Sequence, residues 1–296
     1  MILLLGSSTD WCINELAQYC QLHGIDHAVV SDADLEIAWT LNGTKSKGYV
    51  RVNDSEVPLD RLTGVFVRES FQLSNRDFTS QTDEQYIAME RCTARLGWLN
   101  SLTCPVINRP QPGICGDATI HGFLADAIER AGLTVPAQVM TANETTAAAF
   151  IARHDGIVLA RSFVDPRPTI VTEWSRGPVC LQAIPEGRWV RAFVADRWVV
   201  ATPAEDEEFL PGMTPVSEWP TIPVNPRLYH RCCRAAANLK LQFCEFLLRR
   251  GNDGRDYCFY FNPMPSHAAC EPEARATLTS ALIEMMARTR QIRRAA

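Results

Sequence analysis

The sequence contains very little lysine: three of its 296 residues, Lys45, Lys47 and Lys240. Arginine therefore carries nearly all of the positive charge, and chemistry that needs a compact ammonium group has few candidates. The chain also lacks a basic excess, since its formal net charge is −5. Because the neutralisation of phosphates needs a basic face, we expect neither nucleic acid nor an anionic membrane as a partner.

Long apolar runs are absent as well. No stretch approaches the ~18 apolar residues of a membrane-spanning helix, and the opening MILLLG lacks the basic start of a secretory signal. The 11 cysteines include no CxxC spacing. Their odd number and lack of pairing pattern predict reduced thiols in a cytoplasmic protein, and no cysteine and histidine stand at a spacing typical of zinc ligands or of a nucleophile.

Residues 1–106 predict a β-α-β domain with a mostly parallel sheet. Its strands are the apolar runs MILLLG, DHAVVSD, GVFVR and CPVIN, and a hairpin at a sheet edge is predicted from KGYVRVN and EVPLD. Asp10 is placed to cap a helix that ends at Gly24, and a second helix is predicted over 83–99.

Residues 107–178 predict a smaller β-α-β-β unit, and residues 179–296 predict two hairpins and two helices. In the smaller unit, helices are predicted over 117–132 and after Asn143, with strands over LTVPAQVMT, IVLARSF and TIVTEW. In the last part, the hairpins turn at Asp196-Arg197 and at GNDG, one helix begins near Pro226, and the final helix spans 271–293.

The order of these segments resembles the ATP-grasp superfamily, and within it the subgroup of graspetide peptide ligases and ribosomal-protein glutamate ligases. The words that carry the resemblance are PVINRP, AGLTVPAQVMT, LQAIPEGRWVRAFVADRWVVAT and CEFLLRRGNDGRDYCFYFNPMPS. The resemblance implies an α/β (α+β) ATP-grasp fold: an N-terminal parallel-sheet domain, a small β-α-β-β lid and a C-terminal palm domain.

The resemblance also implies a chemistry. In this superfamily two lysines hold the phosphates of ATP, and carboxylates with an asparagine hold Mg²⁺. A substrate carboxylate becomes an acylphosphate, which an amine or hydroxyl then attacks. Three residues stand where the resemblance expects them: Asn262 as a metal ligand, and Arg191 and Arg249 as catalytic arginines.

The other expected site positions carry different residues. The two lysine positions match Thr119 and Arg161, and the hinge position beside the nucleotide matches Gln182. The two metal carboxylate positions match Leu247 and Tyr260. Arg161 and Tyr260 remain candidates for ligand contacts, because guanidinium pairs with anions and a phenol donates hydrogen bonds.

Two functions therefore stay open. The first is a pseudoenzyme without a high-affinity cofactor, which binds a peptide substrate or an active ATP-grasp partner in peptide or natural-product modification; a homodimer is a further option. The second is a working ligase that binds ATP and Mg²⁺ at a relocated site, with Glu245 as a substitute metal ligand near Asn262. In the second case Asp256 or Asp165 is expected near Asn262. Arg68 and Glu69, at the end of a strand, are candidate peptide contacts or structural residues.

Overall fold

The structure of the protein is a computed structural model. It describes residues 1–31, 34–42, 45–52, 54–68, 83–111, 114–115, 118–119, 125–162, 168–174, 177–206 and 219–287. Glu69 and Asp165 lie outside the described residues, as does the part of the final predicted helix beyond position 287. Among the described residues, no helix is long and apolar enough to cross a membrane.

The described strands and helices alternate in the first half of the chain and fall into hairpins in the second. The strands are β1 (Ile2–Leu5), β2 (His27–Val30), β3 (Glu36–Asn42), β4 (Lys45–Val52), β5 (Ser55–Pro58), β6 (Gly64–Val67), β7 (Val106–Ile107), β8 (Ile114–Cys115), β9 (Ala118–Thr119), β10 (Gln138–Thr141), β11 (Val158–Ser162), β12 (Thr169–Val171), β13 (Val179–Ala183), β14 (Gly187–Ala195), β15 (Trp198–Ala204), β16 (Phe243–Gly251) and β17 (Asp256–Asn262). The α-helices are α1 (Trp11–Leu22), α2 (Asp83–Ser101), α3 (Ala125–Arg130), α4 (Glu144–Arg153), α5 (Pro226–Asn238) and α6 (Pro272–Ala287).

The N-terminal sheet is parallel, with the strand order β2-β1-β6-β7. All four residues of β1 are buried, as expected for a parallel strand that is covered on both faces. Asp10 begins α1 as predicted, because its carboxylate accepts hydrogen bonds from the backbone N–H groups of Cys12 and Ile13. The predicted N-terminal parallel sheet is confirmed.

A separate antiparallel sheet, β3-β4-β5, follows β2. The predicted β4–β5 hairpin is present, but its placement at an edge of the parallel sheet is wrong, because it forms its own sheet with β3. β3 was not predicted, although Ile37, Trp39 and Leu41 stand on alternate positions, which is the period-2 pattern of a half-buried strand. Trp39 from β3 packs against the core cluster that contains Trp98 and Leu99 of α2.

The central sheet is antiparallel, with the order β10-β13-β11-β12. α4 begins after Asn143, whose side chain accepts a hydrogen bond from the backbone N–H of Thr146, as predicted. The predicted helix over 117–132 is too long: Ala118 and Thr119 form β9, paired with β8, and α3 begins only at Ala125.

The fourth sheet is antiparallel, with the order β15-β14-β16-β17, and both predicted hairpins are present. One face packs on α3 and α5 around a large apolar cluster. The other face is shared between α6 with the N-terminal sheet and the central sheet. The domain boundaries at 106/107 and 178/179 stay predictions; β13, just after the second, pairs with β10 and β11.

Candidate functional site

Two sheet faces meet in a cleft between the central sheet and the fourth sheet. In β11, alternate residues point to opposite faces of the sheet. Val158 and Ala160 join the cluster beneath α4, whereas Leu159 packs toward the fourth sheet and Arg161 lines the cleft. Gln182 lies opposite Leu159 on β13 and shares its face. The central sheet therefore presents Arg161 and Gln182 to the cleft.

The facing row of the fourth sheet crosses three strands at matched positions. Arg191 pairs with Leu247, and Leu247 pairs with Tyr260. The next row pairs Glu245 with Asn262. A β-bulge interrupts the β16–β17 pairing between Leu247 and Leu248, and such bulges re-aim side chains beside functional sites.

Leu247 and Tyr260 fill the row where the resemblance places metal carboxylates. Leu247 is only 2% exposed and belongs to an apolar cluster with Leu159, Trp189 and Phe259. Tyr260 packs against the same cluster, and the guanidinium carbon of Arg161 lies 5.7 Å from the centre of its ring. Because Leu159 comes from the central sheet, this cluster is an apolar contact between the two walls of the cleft.

A small cavity with a mainly apolar lining lies beside this cluster. Its volume is about 20 Å³, and its lining includes Arg161, Gln182, Gln138 and Tyr260. That volume suits one or two water molecules. Three of the four predicted cofactor-binding residues thus share one cavity, but their binding of a cofactor stays a prediction. The side chain of the fourth, Thr119, lies outside the described residues.

Arg191 and Arg249 both stack on tryptophan rings next to the cleft. The Arg249 guanidinium lies 4.7 Å from the ring centre of Trp189 and its Nη1 lies 2.8 Å from an oxygen of Asp206. Arg191 lies 4.5 Å from the ring centre of Trp219. Although burial opposes it, hydrogen bonds from Arg249 and Trp189 lower the pKa of Asp206. The catalytic role of Arg191 and Arg249 stays a prediction.

The sequence matches no protein-family profile and no curated protein. Solved structures are similar over nearly the whole chain. The ATP-grasp ligase PsnB complexed with minimal precursor, Mg and ADP is 19% identical, with a TM-score of 0.76 and coverage of 96% of this chain and 97% of that one. The RiPP-associated ATP-grasp ligase of Chryseobacterium gregarium, in complex with ADP and a leader and core peptide, is 13% identical, with a TM-score of 0.75 and 96% coverage of both chains.

A third structure agrees with these two. The macrocyclase MdnC of Microcystis aeruginosa MRC, bound with precursor peptide MdnA, is 12% identical, with a TM-score of 0.73 and coverage of 98% of this chain and 100% of that one. The chain has the ATP-grasp fold. The predicted parallel-sheet domain, central lid sheet and C-terminal palm sheet are the parts of that fold.

The carboxylate and amide next to the filled row of this ATP-grasp fold are already engaged within the chain. Glu245 Oε1 lies 3.4 Å from Nε of Arg191. Asn262 Oδ1 accepts a hydrogen bond of 2.9 Å from the backbone N–H of Met264. Asp256, the expected second acid, instead pairs with Arg231 at 2.7 Å, six positions from Asn262 on the same strand.

The described residues at this place do not fit Mg²⁺, which prefers several anionic oxygens in octahedral geometry. Across the described ranges, no group of three or more histidine, cysteine, aspartate or glutamate side chains is arranged to hold a metal ion. The donor set at the expected place is one amide oxygen and one carboxylate that already has a cation. Leu247 offers no oxygen, and Tyr260 offers only a neutral phenol.

A polar network joins the N-terminal domain to the palm. Arg68 donates to the backbone oxygens of Met264 at 2.5 Å and Pro265 at 3.1 Å, and its Nη2 lies 3.0 Å from Asp10 Oδ2. Within the described part of the chain, Arg68 thus holds the Asn-Pro-Met-Pro turn against the first sheet, which is the structural alternative for this residue.

Cys12 and His267 meet beside that network. The thiol lies 3.4 Å from His267 Nδ1, and His267 Nε2 lies 3.0 Å from Thr279 Oγ1. Both residues are fully buried. Burial raises the pKa of the Cys12 thiol and lowers the pKa of His267 to about 4. Both shifts favour the neutral forms of the pair, in which the thiol is a poor nucleophile.

Asn108 also has a structural role, which was not predicted from the sequence. Its Oδ1 accepts hydrogen bonds from the backbone N–H groups of Gln242 and Phe243, at 2.9 and 3.1 Å. Its Nδ2 donates to the oxygen of Pro263 at 2.6 Å. Asn108 therefore ties the start of β16 to the end of β17. An asparagine after a short strand and before Arg-Pro was the available signal, but its partners are more than 130 residues away.

Proposed function

We propose that this protein is a binding component of peptide modification. It binds a precursor-type peptide, or an active ligase of the same fold, and does not itself activate a carboxylate with ATP. The observation that supports the proposal is the Leu247–Tyr260 row, because these side chains pack in an apolar cluster at the positions where the resemblance places the metal carboxylates. The peptide part rests on the similar structures that contain precursor peptides.

The energetics support a loss of ordinary Mg·ATP affinity. Each charge-assisted hydrogen bond contributes roughly 1.5–3 kcal/mol, and micromolar binding corresponds to only about −8 kcal/mol in total. Among the described residues, the cations available to a triphosphate are Arg161 in the cleft and Arg191 and Arg249 next to it. Two of them, Arg191 and Arg249, already contact Glu245 and Asp206.

A second function has one observation in its favour. Glu245 and Asn262 are cross-strand partners, so their side chains leave the sheet on one face within about 5 Å of each other. A ligase with a relocated metal site would use this pair. To ligate Mg²⁺, however, Glu245 must leave Arg191, and Asn262 must release the N–H of Met264.

The deciding experiment is a calorimetric titration with ATP, with and without Mg²⁺, alongside a thermal-shift series. We expect no saturable heat at millimolar nucleotide. A ligand at 100 times its Kd would stabilise the fold by about 2.7 kcal/mol, which a melting curve resolves. Micromolar, Mg²⁺-dependent binding would refute the non-catalytic role. In that case Glu245→Gln should abolish the Mg²⁺ dependence, whereas Glu129→Gln, on an exposed position of α3, should not.

Peptide binding needs its own titration. Peptides encoded by short reading frames that neighbour the gene are the probes, and calorimetry measures each one without nucleotide. We expect one of them to bind with a measurable Kd and to remain chemically unchanged, by mass spectrometry, after incubation with ATP and Mg²⁺. A loss of water from the peptide during that incubation would establish the ligase instead.

A further inference from the structure

Arg161 is a buried cation without an acidic partner among the described residues. The residue is 4% exposed. Within the described ranges its guanidinium contacts the Cys180 sulfur at 3.9 Å and the Tyr260 ring, its Nε has no hydrogen-bond partner, and no carboxylate forms an ion pair with it. Burial lowers the pKa of Arg161, which shows that its surroundings disfavour the charge. Buried charges in proteins are normally paired or bind a ligand.

The cavity beside Arg161 offers a hydrogen-bond acceptor as well. Gln182 is 1% exposed, and its Oε1 has no partner. Its Nε2 donates to Gln138 Oε1 at 3.3 Å, so the amide is held with Oε1 as its unused atom. Both Arg161 and Gln182 line the same cavity. One wall therefore carries an unused cationic donor next to an unused neutral acceptor.

These two groups together define a ligand. The guanidinium favours a carboxylate, because its N–H groups can donate to both carboxylate oxygens at once. The Gln182 oxygen calls for an N–H, and it would repel the further anionic oxygens of a phosphate chain. A water molecule would satisfy both hydrogen bonds but would leave the charge of Arg161 unmatched. We propose that the Arg161–Gln182 cavity is a binding site for a carboxylate that has an N–H donor beside it.

Such a group occurs in two places in a peptide: at the C-terminal residue, and at an internal aspartate with its own backbone N–H. The inference rests on the proposed binding role and specifies which part of a peptide this cavity takes. The cavity of about 20 Å³ is smaller than either group. Its walls belong to different sheets, β11 and β13 on one side and β17 on the other, so binding requires the sheets to separate.

The test uses small probes on the full chain, followed by calorimetry and by NMR shift titration. N-acetylglycine mimics the chain end, and N-acetyl-aspartate N-methylamide mimics an internal aspartate. N-acetylglycinamide lacks the charge, and acetate lacks the N–H. We expect saturable binding of at least one of the first two, with at least ten-fold weaker binding of the amide and weaker binding of acetate. The tighter of the two acids identifies the source of the carboxylate.

Variants locate the site. Arg161→Met should weaken the acid probe at least ten-fold and should raise the melting temperature of the unliganded protein, because it removes an unmatched buried charge. Arg153→Met, on an exposed position of α4, should change neither. Equal binding by Arg161→Met, equal binding of the amide probe, or no saturable binding of either acid would overturn the inference. None of these results depends on the ATP titration, so the two proposals can fail separately.

Discussion

The buried His267 predicts a specific loss of stability in mild acid. Its ring lies between the Cys12 thiol and the Thr279 hydroxyl. The ring of Phe243 is nearly perpendicular to it, and the two ring centres lie 5.5 Å apart. Burial, and after it the charges of Arg68 and Arg275, lower its pKa from 6.5 to about 4. The native state therefore keeps His267 neutral at pH values where the unfolded chain has already bound a proton.

The sign and size follow from proton linkage. Between pH 6.5 and 4 the unfolded state binds more protons at this residue than the native state, so the free energy of unfolding falls as the pH falls. The stability that the neutral His267 provides is fully present above pH 6.5, and protonation of His267 causes no further loss below about pH 4. From pH 7 to pH 5 the loss from this residue alone is about 2 kcal/mol.

Urea unfolding at a series of pH values measures this loss, provided that the slope of the unfolding free energy against urea stays constant. His267→Gln removes the titrating group. We expect it to be less stable than the wild type at pH 7 but to lose about 2 kcal/mol less between pH 7 and pH 5. His230→Gln, on an exposed position of α5, should keep the wild-type pH dependence. If His267→Gln keeps it too, His267 is not a buried neutral base.

Two further substitutions test the structural account of the cleft and of the domain contact. Leu247→Ala should lower the free energy of unfolding by about 3–5 kcal/mol through lost burial and a residual cavity. Leu22→Ala, on an exposed side chain, should change that free energy by less than about 0.5 kcal/mol. Urea unfolding compares the two variants, and a small effect of Leu247→Ala would contradict its role in the core. Asp10→Ala removes a helix cap and the acidic partner of Arg68, so we expect the free energy of unfolding to fall by about 2–4 kcal/mol. Asn143→Ala removes a cap alone and should lower it by about 1 kcal/mol. Equal losses would show that the contact between Asp10 and Arg68 does not stabilise the fold.

Features set by neighbouring residues were predictable from the sequence. The caps at Asp10 and Asn143 and the hairpin turn at Asp196-Arg197 depend on a few adjacent residues, and all three are present. Features set by distant pairing were not. β13 reads as a plain apolar run, and only its hydrogen bonds to β10 and β11 place it in the centre of the lid sheet.

The candidate site divides in the same way. The gathering of Arg161, Gln182 and Tyr260 around one cavity was accessible only through the resemblance, because 78 residues separate Gln182 from Tyr260 and no local pattern links them. Their unused hydrogen-bonding atoms were not accessible at all, since these depend on what else surrounds each side chain. The Cys12–His267 contact spans 255 positions, and nothing near either residue in the sequence points to the other.

The Asn-Pro-Met-Pro turn shows that structural contacts alone can account for a sequence motif that resembles part of a metal site. In this chain the Asn262 oxygen accepts the N–H of Met264, the Pro263 oxygen accepts from Asn108, and the Met264 oxygen accepts from Arg68. Each of these bonds fixes the turn without a metal ion. The turn also joins the palm sheet to the N-terminal domain through Arg68. Asn262 therefore has a structural role in this turn that is independent of Mg²⁺.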